Sequence, residues 1–265
     1  MMPGCDVPPT AAPSPARMYD YYLGGKDNFA VDREAAERAL SVVPHGRHIA
    51  RSNRNFLTHA VKLMAERGIS QFIDLGAGIP TSPNVHETAR AADPRARVVY
   101  VDNDPIVTCH NDALLANGRN GILALEADIR RPHGILASED FCDLIDFSRP
   151  VGVLFVAVLH FIPEEDDPQG SVAAFTRLMA PGSYLALSHI TSDRTEPDVI
   201  ATIHDAYRTA SAPAVFRTSD QVRQFFNGLN LIDPLVDVSD WYAPGNIRPP
   251  GPRALRFLAG IATKP

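Results

Sequence analysis

FIDLGAGIPT (72–81) decides the architecture of this 265-residue chain. A short apolar run carries one acid, Asp74, and passes directly into Gly76-Ala77-Gly78. Glycines at a strand end permit a tight turn and let the backbone approach a ligand with no Cβ in the way. Thr81-Ser82-Pro83 then supplies a cap and a first-turn proline for the next helix. Outward from this stretch the same apolar runs recur as ARVVYVD (96–102), GILALEAD (121–128), VGVLFVAV (151–158) and YLALSHI (184–190), most of them separated by segments of helical length. Continuous Val/Ile/Leu runs alternating with helices predict a parallel sheet covered on both faces. LIDPLVDVSDW (231–241) and RALRFLAGIATK (253–264) add two strands, giving seven. The turn-rich link APGNIRPPGP (243–252) between them sets the last strand antiparallel to its neighbour. The expected class is α/β.

The chain holds 23 prolines, and Pro3, Pro8, Pro9, Pro13 and Pro15 fall in its first fifteen residues. Residues 1–13 cannot bury enough apolar area to offset ordering and are expected to form a disordered tail. From Ser14-Pro15 helical patterns begin. The first runs to Leu23 and stops at Gly24-Gly25, the second covers Asp32 to Val43, and the third Arg47 to Arg67, ended by Gly68. Residues 14–68 thus make an N-terminal helical cap, and 69–265 the α/β domain. Net charge is −6, which disfavours the basic footprint that nucleic acid demands. Cys5, Cys109 and Cys142 show no zinc or disulfide spacing and fit a cytoplasmic protein. No signal segment opens the chain, and the apolar run 151–159 is too short to span a bilayer, so no membrane association is expected.

In open parallel sheets ligands bind beyond the C-terminal strand ends. Two ligand classes use a loop like GAGIPT. A dinucleotide site wants a third glycine where Thr81 stands, and Pro80 removes an amide donor near the expected phosphate. Asp74 is electrostatically wrong beside a pyrophosphate and suits a cationic portion, such as the amino group of S-adenosylmethionine. Alternatively it only bonds backbone amides at the turn. Asp102, with Asn103 beside it, ends the second strand, where an acid accepts from both hydroxyls of a ribose. Asp128 follows the third strand, where it accepts an adenine amino proton while the Ile129 amide faces a ring nitrogen; its competing role is a helix cap. Three acids after three consecutive strands make a more specific signal than any one of them.

With these motifs the chain resembles class I S-adenosylmethionine-dependent methyltransferases: FIDLGAGIPT is similar to their first motif, VVYVDND to the second, EADIR to the third and VLFVAVLHFIP to their fourth-strand segment. ARMYDYYLGGKDNFAVDREAAE (16–37) and NVHETAR (84–90) resemble a narrower bacterial family of S-adenosyl methyltransferases with unassigned substrate. The resemblance implies a Rossmann-like fold, with Gly76, Ala77 and Gly78 along the methionine part of the cofactor and Asp102 on the ribose. Asp128 and Ile129 would hold the adenine, and Ala157, Val158 and Leu159 would lie under the sulfonium.

Methyl transfer from a sulfonium needs alignment and a dry site, and a base only when the acceptor carries a proton. His160 and His189, near the ends of the fourth and fifth strands, are the candidate bases; a backbone-bonded role competes for His160. Tyr19, Tyr21 and Tyr22 suit a lid over a cationic centre, or simply pack their helix. Lys26 or Asn28 could reach the cofactor carboxylate or the acceptor. Arg51 and Arg54 share a helix face, from which one could clamp that carboxylate, and a solvated face competes. His45, His48 and His59 read as solvated or core-edge residues. EEDDP (164–168) reads as a charge run at a helix start, and no metal site is expected. The leading expectation is a methyltransferase acting on a small-molecule O or N acceptor. The alternatives are an NAD-dependent oxidoreductase and a cofactor-binding module without methyl transfer.

Overall fold

The computed structural model describes residues 12–115, 121–241 and 255–265. Three helices come first: α1 (Pro15–Leu23), α2 (Ala30–Val42) and α3 (Gly46–Glu66). Pro15 opens α1, where a missing N–H costs nothing, and Gly24 closes it at φ 86°. Strands and helices then alternate: β1 (Gln71–Leu75), α4 (Val85–Arg90), β2 (Arg97–Asp102), α5 (Pro105–Leu115), β3 (Ile122–Glu126), α6 (Pro132–Leu136), α7 (Glu139–Leu144), β4 (Gly152–Val156), α8 (Pro168–Leu178), β5 (Tyr184–Thr191), α9 (Pro197–Tyr207) and α10 (Ser219–Gln224). Short β6 (Asn230–Leu231) and β7 (Val236–Asp237) and long β8 (Arg256–Thr263) complete the sheet.

The strand order is β3-β2-β1-β4-β5-β8-β6, with β7 also paired to β8. β1 to β5 run parallel, and β8 runs antiparallel to β5, β6 and β7. The single strand expected over 231–241 is therefore two short ones, and among the described residues the sheet has eight strands rather than seven. Pro234, which has no N–H to give a ladder, lies in the break between them. The link expected at 243–252 lies outside the described residues. A second departure concerns Pro83. The helix after the glycine loop starts at Val85, with Asn84 and Glu87 forming a capping box, so Pro83 precedes the cap rather than opening the first turn.

Side-chain parity divides the core. Along a strand successive residues face opposite sides. Phe72, Val98, Tyr100, Leu154, Ala186 and Ile190 join Met18, Phe56, Met64 and Ile203 in the core beneath α1, α2, α3 and α9. Ile73, Leu75, Val99, Val153, Phe155, Leu185 and Leu187 join Ile135, Phe141, Phe175 and Val222 on the other face. The register places Asp74 beside Tyr100 and Leu154, and Ser188 beside Val156. Asp74, Asp102 and Ser188 therefore face the helical cap, and His189 faces away from it.

Of the expected tail, residues 12 and 13 are described. Pro13 is buried and its carbonyl accepts the Ser211 N–H at 2.9 Å. Cys109 is disulfide-bonded, contrary to the expectation from the cysteine spacing, and Cys142 is free and exposed. Among the described residues no helix is long and apolar enough to cross a membrane, and no acid, histidine or cysteine cluster could hold a metal ion.

Candidate functional site

The C-terminal ends of β1, β2, β3 and β4 open on a cleft of about 450 Å3, walled on its far side by α1. It lies where the order reverses, with β1 between β2 and β4, the place where open α/β sheets bind ligands. Its floor is the glycine loop. Gly76, at φ 75°, has no space for a side chain, because a Cβ there would meet Val158 Cγ2 at 2.2 Å. The Gly76 and Ala77 amides both donate to the Val101 carbonyl, at 2.8 and 3.1 Å, which holds the loop against β2.

Two buried carboxylates face this floor. Asp74 is 4% exposed, and burial pushes its pKa up to about 7 although Arg54 works against the rise. No hydrogen bond supports its ionised form. Asp102 is also pushed up by burial, to about 6, while backbone N–H groups pull the other way. Its two oxygens accept from the Gly78 N–H at 2.9 Å and the Asp104 N–H at 3.0 Å. The Asn103 N–H adds to the same pull, and Asp102 lines the cleft. Arg54, on α3, donates from Nη2 to the carbonyls of Thr81 and of Pro83, the latter at 2.7 Å. Its Nε–H is buried and has no partner.

Asp128 lies beyond β3 in a bidentate pair with Arg130, at 2.9 Å from Nε and 2.6 Å from Nη2, and Arg130 reaches Asp166 at 3.3 Å. Burial acts to raise the Asp128 pKa, and the Arg130 hydrogen bonds outweigh it and hold the carboxyl below the usual range. Ala157, just after β4, has φ 59°, a left-handed conformation that L residues seldom adopt. A buried relay supports it. Its N–H donates to Ser188 Oγ at 3.0 Å, and Ser188 donates to Asn53 Oδ1 at 2.6 Å. Asn53 Nδ2 donates to the Tyr19 hydroxyl at 2.9 Å, which donates to the Ala50 carbonyl at 2.9 Å.

α1 is pinned over the cleft by charge. Arg17, 2% exposed, donates from Nε to Asp32 at 2.8 Å and from Nη1 to Asp104 at 3.2 Å. Ser14 donates its N–H to Asp32 at 2.9 Å and its hydroxyl to Asp104 at 2.7 Å. Asp104 thus ties the cap to the loop that carries Asp102 and Asn103.

A second, smaller cavity of about 90 Å3 shares Pro15, Tyr19, Ala157 and Phe161 with the cleft. Tyr22, Tyr207, Ile203, Phe257 and His160 help enclose it. The Tyr22 and Tyr207 hydroxyls lie 3.4 Å apart, and burial raises both their pKa values, Tyr207 to about 12. His160 is 5% exposed and packs edge-on to Phe257, with ring centroids 5.3 Å apart. Its Nδ1 is buried without a partner, and burial, reinforced by His189 and Arg217, drives its pKa well below the usual value.

Of the residues singled out from sequence, Asp74, Gly76, Ala77, Gly78, Asp102, Asn103, Asp128, Ile129, Ala157, Arg54 and Tyr19 line the cleft. His160 and Tyr22 line the second cavity instead. Leu159 and His189 reach neither. Leu159 is fully buried in the core on the opposite face. His189 is fully buried there as well. Its Nδ1 lies 2.5 Å from the Ile190 carbonyl and its Nε2 accepts from Arg217 at 2.8 Å. Burial, with Arg217 beside it, lowers its pKa to about 3, so it stays neutral and fully engaged. Tyr21 turns outward to Glu37 and Arg47, Lys26 and Arg51 are exposed, and Asn28 is bonded to Asp20 and Gly25. EEDDP is a charge run at a helix start, with Asp167 capping α8 through the Gly170 N–H.

Sequence reasoning missed Arg17, Asn53, Ser188 and Arg217. Ser188 carried a readable signal, since strand parity puts it on the face of Asp74. Arg217 carried none: it donates to the Leu159 and Ile162 carbonyls, at 3.0 and 2.8 Å, across more than 50 residues of chain.

A family model described as S-adenosyl methyltransferase matches residues 8–265. Two solved structures resemble the whole chain. One is a DUF574 family protein from Streptomyces avermitilis, 36% identical, covering 96% of this chain and 98% of its own, with a TM-score of 0.89. The other comes from Thermobifida fusca, 36% identical, covering 96% and 95%, with a TM-score of 0.87. The comparison with curated proteins found no match.

Proposed function

We propose that this chain, which belongs to the S-adenosyl methyltransferase family, passes the methyl group of S-adenosylmethionine to a small-molecule oxygen or nitrogen nucleophile that reaches the cleft from the side of α1. The carrying observation is the convergence, in one cleft, of a glycine loop, two buried strand-end carboxylates and an unpartnered arginine N–H. These groups fit the cofactor's chemistry. Asp74, buried with no donor of its own, has room for an ammonium. Arg54 Nε–H is free for a carboxylate, and Asp102, which lines the cleft, is placed to accept from ribose hydroxyls. Ile129 offers an apolar surface to the adenine, and Asp128, with Arg130, frames its edge.

The bound cofactor supplies an activated methyl group, so the protein's task is alignment and exclusion of water. Ala157, held in its left-handed turn by Ser188 and Asn53, sets the wall between the cleft and the second cavity. Tyr19 closes the space above it, and the Arg17–Asp104 pair holds that closure in place. Burial disfavours the imidazolium of His160, and the neutral ring accepts a hydrogen bond from the acceptor. It takes the proton as the new bond forms and the nucleophile becomes strongly acidic.

Asp102→Ala tests the assignment. Titration calorimetry should show S-adenosylhomocysteine binding to the parent and at least a hundredfold loss in a folded variant; equal affinities would remove Asp102 from the site. An NAD-dependent oxidoreductase is disfavoured because Asp74 lies on the floor where a pyrophosphate would sit. A module without transfer predicts cofactor affinity with no turnover on any acceptor.

A further inference from the structure

From the second cavity we infer the class of the acceptor: an uncharged, largely apolar molecule, about one ring in width at its reacting end, that presents a single hydroxyl to His160. The inference rests on the methyltransferase reading of the adjoining cleft. The cavity meets that cleft at Ala157, Tyr19, Pro15 and Phe161, so a group seated in it abuts the place assigned to the sulfonium.

Its lining excludes most acceptor classes. Among the described residues no acidic or basic side chain other than histidine lines it, and aliphatic and aromatic residues such as Leu40, Val43, Ile203 and Phe257 make up most of the wall. A carboxylate, phosphate or ammonium seated here would lose its water and gain no counter-charge, which is prohibitive. A hydroxyl is different. His160 lines the cavity, no hydrogen bond engages its Nδ1 among the described residues, and burial disfavours its charged form. Buried ring nitrogens without a partner are rare because they are costly, and a hydroxyl, which both donates and accepts, can relieve one in either tautomer. The Tyr19 hydroxyl is already spent on Asn53 and Ala50, so it does not compete. The volume of about 90 Å3 lies below the roughly 150 Å3 of an apolar cavity that takes benzene. The pocket therefore accepts one ring at most, with modest widening, and the rest of a larger acceptor would remain in the cleft.

The step balances. The methyl carbon exchanges its bond to sulfur for one to the acceptor oxygen, sulfur keeps the electron pair, and the hydroxyl proton passes to His160. The positive charge moves from sulfonium to imidazolium, so the total charge is unchanged.

The test is binding of simple probes to the full chain saturated with S-adenosylhomocysteine, read by ligand-observed NMR so that no turnover is needed. The probes are m-cresol, toluene, benzoate and benzylammonium. The expected order is m-cresol, then toluene about fivefold weaker for want of one hydrogen bond, with no binding of benzoate or benzylammonium. His160→Phe should erase the preference for cresol over toluene. Ile203→Phe and, separately, Ala39→Leu should fill the cavity and weaken cresol at least tenfold, leaving S-adenosylhomocysteine affinity within twofold. Benzoate or benzylammonium binding as well as cresol would overturn the inference. So would undiminished cresol affinity in either filled variant that still binds S-adenosylhomocysteine. Failure of the parent to bind S-adenosylhomocysteine would instead refute the reading of the cleft, and this inference with it.

Discussion

Replacing Asp74 by Asn removes one proton-binding group from the floor of the cleft and leaves its shape. In the free protein burial lifts the Asp74 pKa to about 7, so at pH 6 the carboxyl holds about 0.9 of a proton, and at pH 8 roughly 0.1. An ammonium seated against it favours the ionised form, so binding at pH 6 must expel most of that proton. Calorimetric titration of S-adenosylhomocysteine in two buffers of different ionisation enthalpy counts the protons. The parent should release about 0.9 of a proton more than Asp74→Asn at pH 6, and the difference should shrink to about 0.1 at pH 8. Subtracting the variant cancels the contribution of the ligand. The same group sets a stability trend. The folded state keeps this proton up to about pH 7, whereas the unfolded chain loses it near 3.8. Asp74 therefore has no effect on stability below pH 4, costs progressively more between 4 and 7, and reaches a constant penalty above 7. The gap corresponds to roughly 4 kcal/mol at most. Urea unfolding should find Asp74→Asn more stable than the parent at pH 8 by a large part of that amount, and little changed at pH 4. Equal proton release by the two proteins at pH 6, or a variant no more stable at pH 8, would refute the reasoning.

Other outcomes follow from the same contacts. Gly76→Ala puts a methyl 2.2 Å from Val158 Cγ2 at a φ of 75°; circular dichroism melts should show a loss of about 2 kcal/mol or more, and cofactor affinity should fall with it. Arg17→Ala strips the counter-charge from buried Asp32 and from Asp104 and should cost about 3–5 kcal/mol in urea unfolding. Ser188→Ala removes the acceptor of the Ala157 N–H, leaving a buried donor unpaired, and should cost about 1–3 kcal/mol. His189→Gln should leave S-adenosylhomocysteine affinity unchanged in calorimetry, because His189 faces the opposite side of the sheet from the cleft, and a changed affinity would contradict that placement.

The strands were readable because a sheet covered on both faces demands unbroken apolar runs, and β1 to β5 each have one. The glycine loop and the strand-end acids were readable because ligand contact there is local to the loop. What stayed hidden depends on contacts remote in sequence. Asp104 looked like one more acid after Asp102, and the arrival of Arg17 and Ser14, from 87 and 90 residues away, shows that it anchors α1. His189 looked like a strand-end base, but strand parity and Arg217 consign it to the far face. Pro83 stood at a plausible first-turn position, yet the capping box of Asn84 and Glu87 sets the helix start later. The break at Pro234 could have been read, since an N–H missing from the middle of LIDPLVDVSDW already weakens the case for one long strand.

The most direct test of the account is a crystal structure of the protein with S-adenosylhomocysteine. The account predicts ribose hydroxyls on Asp102, the amino group at Asp74, the carboxylate at Arg54 Nε and the sulfur facing Ala157. A nucleoside seated anywhere else, or an amino group turned away from Asp74, would contradict it.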